Sequence, residues 1–114
     1  ADIGACAYGI FKAGTAQVGK TVAIAGEHLT GAQMAEALAK ALGKKVTYNA
    51  VSFDAYRKFG FPGADDLGNM FQYKHDFEAE YCGSRNIEAA KKLHPGLQSF
   101  KAWLEKNAKN IPLK

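Results

Sequence analysis

Four residues near the start of the chain have the types and spacing of a phosphate-binding loop. In this pattern backbone N–H groups surround the phosphates and a lysine reaches the terminal ones; it is matched by Gly14, Gly19, Lys20 and Thr21. Such a loop leaves a strand and opens a helix, because the helix N-terminus supplies part of the anion site. Here a helical pattern precedes the loop and a short apolar stretch follows it. We therefore interpret Gly14 as a helix end and the later residues as a turn.

The other reactive side chains form no recognised catalytic group. Asp65 and Asp66 could act as paired carboxylates, but in a first helical turn they are more typical of a charge complement to the helix dipole. Tyr8 and Lys12 have the Tyr-x-x-x-Lys spacing of a dehydrogenase proton donor, yet they lie at the start of the chain without a serine or a cofactor domain. We interpret that spacing as coincidence and predict no catalytic residue in this chain.

Metal-binding residue types are present but isolated. His28 precedes a predicted helix cap and has no second ligand nearby, which favours a loop hydrogen bond over a metal. Cys6 and Cys82 lack metal-ligand spacing, and each lies inside a helical pattern. This usage indicates buried thiols in a reducing compartment. We expect no metal site and a cytoplasmic protein.

The composition is that of one ordinary globular region, residues 1–114. No apolar run approaches the ~20 residues of a membrane helix, and the first residues lack a signal-peptide pattern, so we expect no membrane partner. The net charge of +4 comes from scattered lysines with only two arginines, which argues against direct nucleic-acid binding. Because the chain runs from Ala1 straight into a helical pattern, we expect it to be the tail of a longer protein.

Two apolar stretches predict strands within a helix-rich chain. Residues 22–25 are apolar on both faces, as in a buried strand, and residues 46–51 alternate as in a half-buried one. Helix starts are predicted by the cap residues Asp2, Thr30, Ser52 and Ser99. One longer helix is predicted over residues 64–81, and another over residues 87–93. The expected fold class is α/β or α+β with about two strands and five to six helices.

Three short motifs in this order of segments carry a resemblance to known proteins. They are Phe-Gly-Phe-Pro-Gly-Ala at 59–64, Asp-Leu-Gly-Asn-Met-Phe at 66–71 and His-Pro-Gly-Leu at 94–97. The segment order resembles the C-terminal part of extended and atypical short-chain dehydrogenases. The motifs are similar to those of the NmrA-like family, which includes NADPH-sensing regulators. The resemblance covers nearly the whole chain.

The resemblance implies a C-terminal portion of an NAD(P)-binding Rossmann-type protein. The N-terminal dinucleotide-binding part is expected to be absent, since no glycine-rich strand–turn–helix occurs here. NADP(H) would then be a cofactor of the parent protein, with none expected for this chain alone. The parent is expected to be a redox sensor or transcriptional-regulator-type protein. The alternatives are an NADPH-dependent reductase of a quinone or small carbonyl substrate, and an independent helical interaction module.

The resemblance also implies partners and a ligand side. The partners are the missing N-terminal Rossmann part and a regulatory protein or small-molecule ligand, and a strand at 21–25 would leave an edge for self-association. In the family layout the corner at 61–63 and the helix after it face a cleft. We expect Asn69, Met70 and Tyr73 to line this cleft, because they share one helical face that mixes apolar surface with two hydrogen-bonding groups. The competing interpretation packs Met70 in the core.

Overall fold

The computed structural model describes residues 1–113. The chain forms two compact units: unit 1 comprises Ala1–Tyr48 and the chain from Arg85 onward, and unit 2 comprises Asn49–Ser84. Over the described residues all regular structure is helical. The α-helices in chain order are α1 (Asp2–Lys12), α2 (Gly31–Leu42), α3 (Phe53–Arg57), α4 (Ala64–Asp76), α5 (Glu78–Gly83), α6 (Ile87–Leu93) and α7 (Phe100–Asn107), with short 3₁₀ helices at Gly14–Gln17 and Ala108–Asn110.

Unit 1 is built from two helix pairs. Helix α1 packs against α6, and α2 packs against α7 and the 3₁₀ helix that follows it. The buried side chains of this unit are few and small: Cys6 and Ala90 are fully buried, and Leu104 is 2% exposed. Both cysteines are free thiols, but Cys82, in unit 2, is only half-buried. The core of unit 1 is therefore thin for its length.

The ends of α2 follow the predicted capping pattern. The Thr30 hydroxyl accepts the backbone N–H of Gln33 at 3.2 Å, and the Gln33 side-chain oxygen accepts the backbone N–H of Thr30 at 2.8 Å. At the other end Gly43 adopts a left-handed conformation with φ 62°, which glycine tolerates without a Cβ clash. The predicted start of this helix at Thr30 is confirmed.

In unit 2, α3 packs along α4, and α5 follows α4 directly. The single helix predicted over residues 64–81 is wrong, because the helix breaks at Phe77 (φ −117°, ψ 35°). At this break the Phe77 ring stacks on Tyr73 with 5.1 Å between the ring centroids. The range predicted as one helix is therefore divided between α4 and α5.

The predicted α/β or α+β fold class is also wrong. Residues 21–25 and 46–51 form no strand, and within residues 1–113 no two segments pair as a sheet. A strand needs a neighbouring chain segment for its backbone hydrogen bonds, and an apolar pattern does not say whether one is available. Here the side chains of Val22 and Ile24 are half-buried without belonging to a sheet, and a Cβ at Gly26 would lie 3.2 Å from the Gln98 carbonyl oxygen. The observed count of seven α-helices in the described residues also exceeds the predicted five to six.

A long-range carboxylate contact fixes the start of α1. Asp2 does not cap the helix as predicted, since the N-cap is Ala1. Its carboxylate instead accepts the backbone N–H of Gln98 at 3.0 Å and the Gln98 side-chain amide at 3.3 Å. The Gln98 backbone N–H is the main reason that the pKa of Asp2 is lowered. The contact ties α1 to the segment before α7.

We expect acid to remove the stabilisation that Asp2 provides. Because the folded-state pKa is lowered, this contribution is present above the unfolded pKa and is lost as the pH falls through the folded pKa. Between about pH 6 and about pH 2.5 the wild type should therefore lose more unfolding free energy than Asp2→Asn. Urea unfolding followed by the fluorescence of Trp103, the only tryptophan, measures this difference. Equal losses in the two proteins would contradict the assignment.

Candidate ligand-binding cleft

A sharp corner between α3 and α4 shapes the surface of unit 2. Gly60 and Gly63 have φ angles of 73° and 85°, in the region that L side chains rarely adopt. Pro62 lies between them, and α4 begins directly after Gly63. The chain therefore reverses within a few residues and presents the first turns of α4 beside the corner.

An aromatic cluster holds this corner in place. The ring of Tyr56 lies 5.1 Å from Phe59, 6.0 Å from Phe61 and 5.1 Å from Phe71, measured between centroids. The contacts with Phe61 and Phe71 are edge-to-face, an arrangement that aromatic quadrupoles favour. One residue of α3 thereby contacts both the corner and α4.

Arg57 joins α3 to α4 through polar contacts. Its Nε donates to Asn69 Oδ1 at 2.9 Å, one terminal nitrogen donates to Asp54 Oδ1 at 2.8 Å, and the other donates to Gln72 Oε1. Gly68 leaves room for this side chain, since a Cβ there would lie 2.6 Å from Arg57 Cγ. The guanidinium is thus held by three acceptors.

The corner and the first turns of α4 border an open cleft of about 660 Å³. This volume is in the range of small-molecule sites. The cleft is lined by Pro62, Gly63, Asp66, Leu67, Asn69, Met70 and Tyr73. All the lining residues belong to unit 2, so the cleft is a feature of that unit alone.

The structure brings together the three residues selected from the sequence. Asn69, Met70 and Tyr73 all line the cleft, and their role in ligand binding stays a prediction. Met70 is 36% exposed, so it is not a core residue. The sequence interpretation missed Asp66, which it assigned to the helix dipole. Its spacing of three and seven residues before Asn69 and Tyr73 would have placed it on the same face.

The cleft combines an apolar wall with few polar groups. Leu67 and Met70 are 37% and 36% exposed, so both leave part of an apolar side chain uncovered. The Tyr73 hydroxyl points to Glu80 Oε1 at 3.4 Å. Asp66 is the only charged side chain in the lining. The site can therefore hold an apolar group and orient it by a small number of hydrogen bonds.

The loop that contains the glycines of the phosphate-binding pattern differs in geometry from the glycine-rich loop of a dinucleotide site. Gly14 and Gly19 have φ angles of 62° and 73°; Gly14 is the first residue of the 3₁₀ helix Gly14–Gln17, and Gly19 follows the end of that helix. The chain then continues into residues 21–25, which are not helical, so no helix N-terminus follows the loop. These residues do not fit a bound pyrophosphate, and the cleft of unit 2 has no lining cation to pair with one.

Two isolated candidates from the sequence have structural explanations. The Lys12 ammonium lies over the face of the Tyr8 ring, 5.6 Å from its centroid, which is a cation–π contact and differs from a hydroxyl–ammonium pair. His28 Nε2 lies 3.0 Å from the backbone oxygen of Arg85. The imidazole donates this bond because a carbonyl can only accept. The predicted loop hydrogen bond of His28 is confirmed.

Unit 1 has a second cleft of about 480 Å³ between α2 and α7. Its floor contains Ala37 and Leu104, and Lys40, Lys101 and Glu36 lie at its rim. Glu36 accepts a hydrogen bond from Lys40 at 2.7 Å, and this bond is the main reason that the pKa of Glu36 is lowered. The rim thus carries both signs of charge and an internal ion pair.

The described part of the chain has neither a metal-binding cluster nor a membrane-spanning helix. Among residues 1–113 no three His, Cys, Asp or Glu side chains lie close enough together to hold a metal ion. Within the same residues no helix has the length and apolar character needed to cross a bilayer.

Comparison with protein families agrees with the motifs around this cleft. The family model of the NmrA-like family matches residues 1–104 of this 114-residue chain. The match includes the corner, all seven lining residues of the cleft, and the His-Pro-Gly-Leu motif after α6. The chain belongs to the NmrA-like family.

Proposed function

We propose that this chain is the ligand- and partner-facing C-terminal region of an NmrA-like redox sensor of the transcriptional-regulator type. In this proposal NADP(H) is bound by an N-terminal Rossmann part of the same protein. Two observations support the division: the chain belongs to the NmrA-like family, and its glycine-containing loop at 14–21 does not fit a pyrophosphate.

The observation that carries the proposal is the large uncovered surface of the chain. The accessible area is 8546 Å², whereas a compact monomer of this length would expose about 6,100 Å². Two separate globules of the sizes of units 1 and 2 would still expose only about 7,200 Å². A chain with so much excess surface is expected to be covered by other protein.

Unit 1 exposes large apolar side chains on a surface that would be polar if it faced only water. Ile3 and Phe11 on α1 are 77% and 79% exposed, and Val18 is 77% exposed. Next to Val18 in sequence, residues 21–25 make no backbone–backbone hydrogen bond within the described chain. These exposed side chains and free backbone groups fit a covering partner that supplies both apolar contact and hydrogen bonds. We assign that role to the N-terminal part, with a second copy of this chain as the competing cover.

An NADPH titration tests the proposed division of labour. The 114-residue chain should give no saturable change in NADPH fluorescence, whereas the full-length protein should bind the cofactor. The physical reason is that dinucleotide sites need a glycine-rich turn at a helix N-terminus. Tight NADPH binding by the 114-residue chain would contradict the proposal. So would a full-length protein that is folded and does not bind NADPH.

In the alternative proposal the chain is the C-terminal part of a reductase, and one observation supports it. The unit 2 cleft pairs an apolar wall with Asn69 and Tyr73, as a pocket for a quinone or small carbonyl compound would. A reductase also needs a proton donor, and the Lys12 ammonium lies over the face of the Tyr8 ring, 5.6 Å from its centroid, in a cation–π contact. A Tyr-x-x-x-Lys or equivalent donor in the N-terminal part would favour the enzyme over the sensor.

A further inference from the structure

We infer that the cleft of unit 2 binds a neutral molecule that carries an amide group, through Asp66 and Asn69. The apolar part of that molecule lies against Leu67 and Met70. The inference rests on the proposed function in taking this cleft as the ligand site, and it adds the chemical class of the ligand.

The first step is the orientation of the Asn69 amide. Its Oδ1 accepts a hydrogen bond from Arg57 Nε at 2.9 Å, and because a guanidinium has only donors the amide oxygen must face it. The Nδ2 group of Asn69 has no hydrogen-bond partner among residues 1–113. Asn69 therefore offers a ligand an N–H donor.

The second step is the Asp66 carboxylate, which offers the complementary group. Asp66 lines the cleft and makes no hydrogen bond or ion pair in the part of the chain that the structure describes. An ionised carboxylate can only accept. Asp66 lies three residues before Asn69 on α4, so the two side chains are neighbours on one helical face. A donor beside an acceptor matches the C=O and N–H of an amide.

The third step is charge, which excludes anionic ligands. Among residues 1–113, no Lys, Arg or His belongs to the lining of the cleft. The nearby guanidinium of Arg57 already donates to Asn69, Asp54 and Gln72. A carboxylate or phosphate ligand would meet Asp66 without a free cation to offset the repulsion. The charge of the site therefore disfavours an anionic ligand, and the Asn69 donor beside the Asp66 acceptor matches a neutral amide.

The fourth step is the apolar part of the lining. Leu67 and Met70 line the cleft and are 37% and 36% exposed. Tyr73 also lines it, and its ring stacks on Phe77 at 5.1 Å while its hydroxyl lies 3.4 Å from Glu80 Oε1. A flat aromatic or cyclic group next to the amide would cover this wall.

Three benzene derivatives test the inference on the 114-residue chain by protein-observed NMR. Benzamide carries C=O and N–H, methyl benzoate carries only the carbonyl, and benzoate is an anion. Benzamide should shift the side-chain resonances of Asn69 and Met70 saturably, with a dissociation constant on the order of 10 mM. Methyl benzoate and benzoate should each bind about tenfold more weakly. Equal binding of benzoate, or no saturable shift with benzamide, would overturn the inference.

Two neighbouring carboxylates provide a matched control. Asp65 and Asp66 both lie in the first turn of α4, so their alanine variants lose the same charge from the helix end. Among the described residues only Asp66 of this pair lines the cleft. Asp66→Ala should weaken benzamide binding about tenfold and Asp65→Ala should leave it unchanged. A second variant, Asn69→Asp, keeps an acceptor for Arg57 and replaces the donor, and it should also abolish the benzamide shifts.

Equal weakening by Asp65→Ala and Asp66→Ala, or wild-type binding by Asn69→Asp, would contradict the amide assignment. These measurements need no NADPH. A failed NADPH titration with intact benzamide selectivity would therefore overturn the proposed function alone. If the NADPH titration gives the expected result and the benzamide selectivity is absent, only the inferred ligand class is overturned.

Discussion

Replacement of Gly9 by alanine is expected to lower the unfolding free energy of unit 1 by roughly 3 kcal/mol. Gly9 lies where α1 meets α6, and an added Cβ would press on the carbonyl group of Leu93, 2.9 Å from its carbon. These atoms belong to the backbone of α6, so no change of side-chain rotamer can make room. The two helices would have to move apart and loosen the packing around Cys6 and Ala90, which are both fully buried.

Gly4→Ala is the matched control for this substitution. Gly4 lies on the same helix, but a Cβ there meets no atom within 4 Å. Alanine is the better helix former by about 1 kcal/mol, so Gly4→Ala should be neutral or stabilising. Urea unfolding followed by Trp103 fluorescence compares the two variants, because Trp103 lies in α7 of the same unit. Similar effects of both substitutions would show that α1 and α6 do not approach as closely as described.

The predictable parts of the fold are those in which the deciding contact is local. Ser52 and Ser99 accept the backbone N–H groups of Ala55 and Ala102, each three residues later. A cap of this kind depends on residues that are adjacent in sequence, and its residue types are distinctive. The starts of α3 and α7 therefore followed from the sequence, as did that of α2.

The strands could not be predicted in the same way, because a strand depends on a partner that the pattern does not contain. Residues 21–25 have the composition of a buried strand, yet in the described chain they make no backbone–backbone hydrogen bond. An apolar pattern indicates that the side chains prefer to be buried. It does not say which part of the protein covers them. The helix break at Phe77 is a similar case, since no glycine or proline marks it.

The candidate cleft was only partly predictable for the same physical reason. Asn69, Met70 and Tyr73 share a helical face, and helical periodicity was enough to select them. The contact that orients Asn69 comes from Arg57, 12 residues earlier on another helix, and no local pattern indicates it. The Asp2 carboxylate is a more distant example, since its partner Gln98 is 96 residues away.

Replacement of Leu104 by alanine is expected to lower the unfolding free energy of unit 1 by about 3 kcal/mol. Leu104 is the largest buried side chain, 2% exposed, and it lies where α7 packs on α2. In so thin a core the lost methyl groups have no neighbours that can move in to replace them. The side chain also borders the unit 1 cleft, so water can enter the enlarged space. This access keeps the expected loss in the lower half of the usual range of 2–5 kcal/mol for such substitutions.

Leu113→Ala removes the same atoms from a side chain that is 50% exposed, and its effect should stay within about 0.5 kcal/mol. The midpoint of urea unfolding, followed by Trp103 fluorescence, should therefore fall clearly for Leu104→Ala and remain near the wild-type value for Leu113→Ala. The transition slope should be unchanged for both if the folded states remain equally compact. An equal effect of the two substitutions would mean that Leu104 is not the centre of this core. Unit 1 would then depend mainly on whatever covers the apolar face of α1.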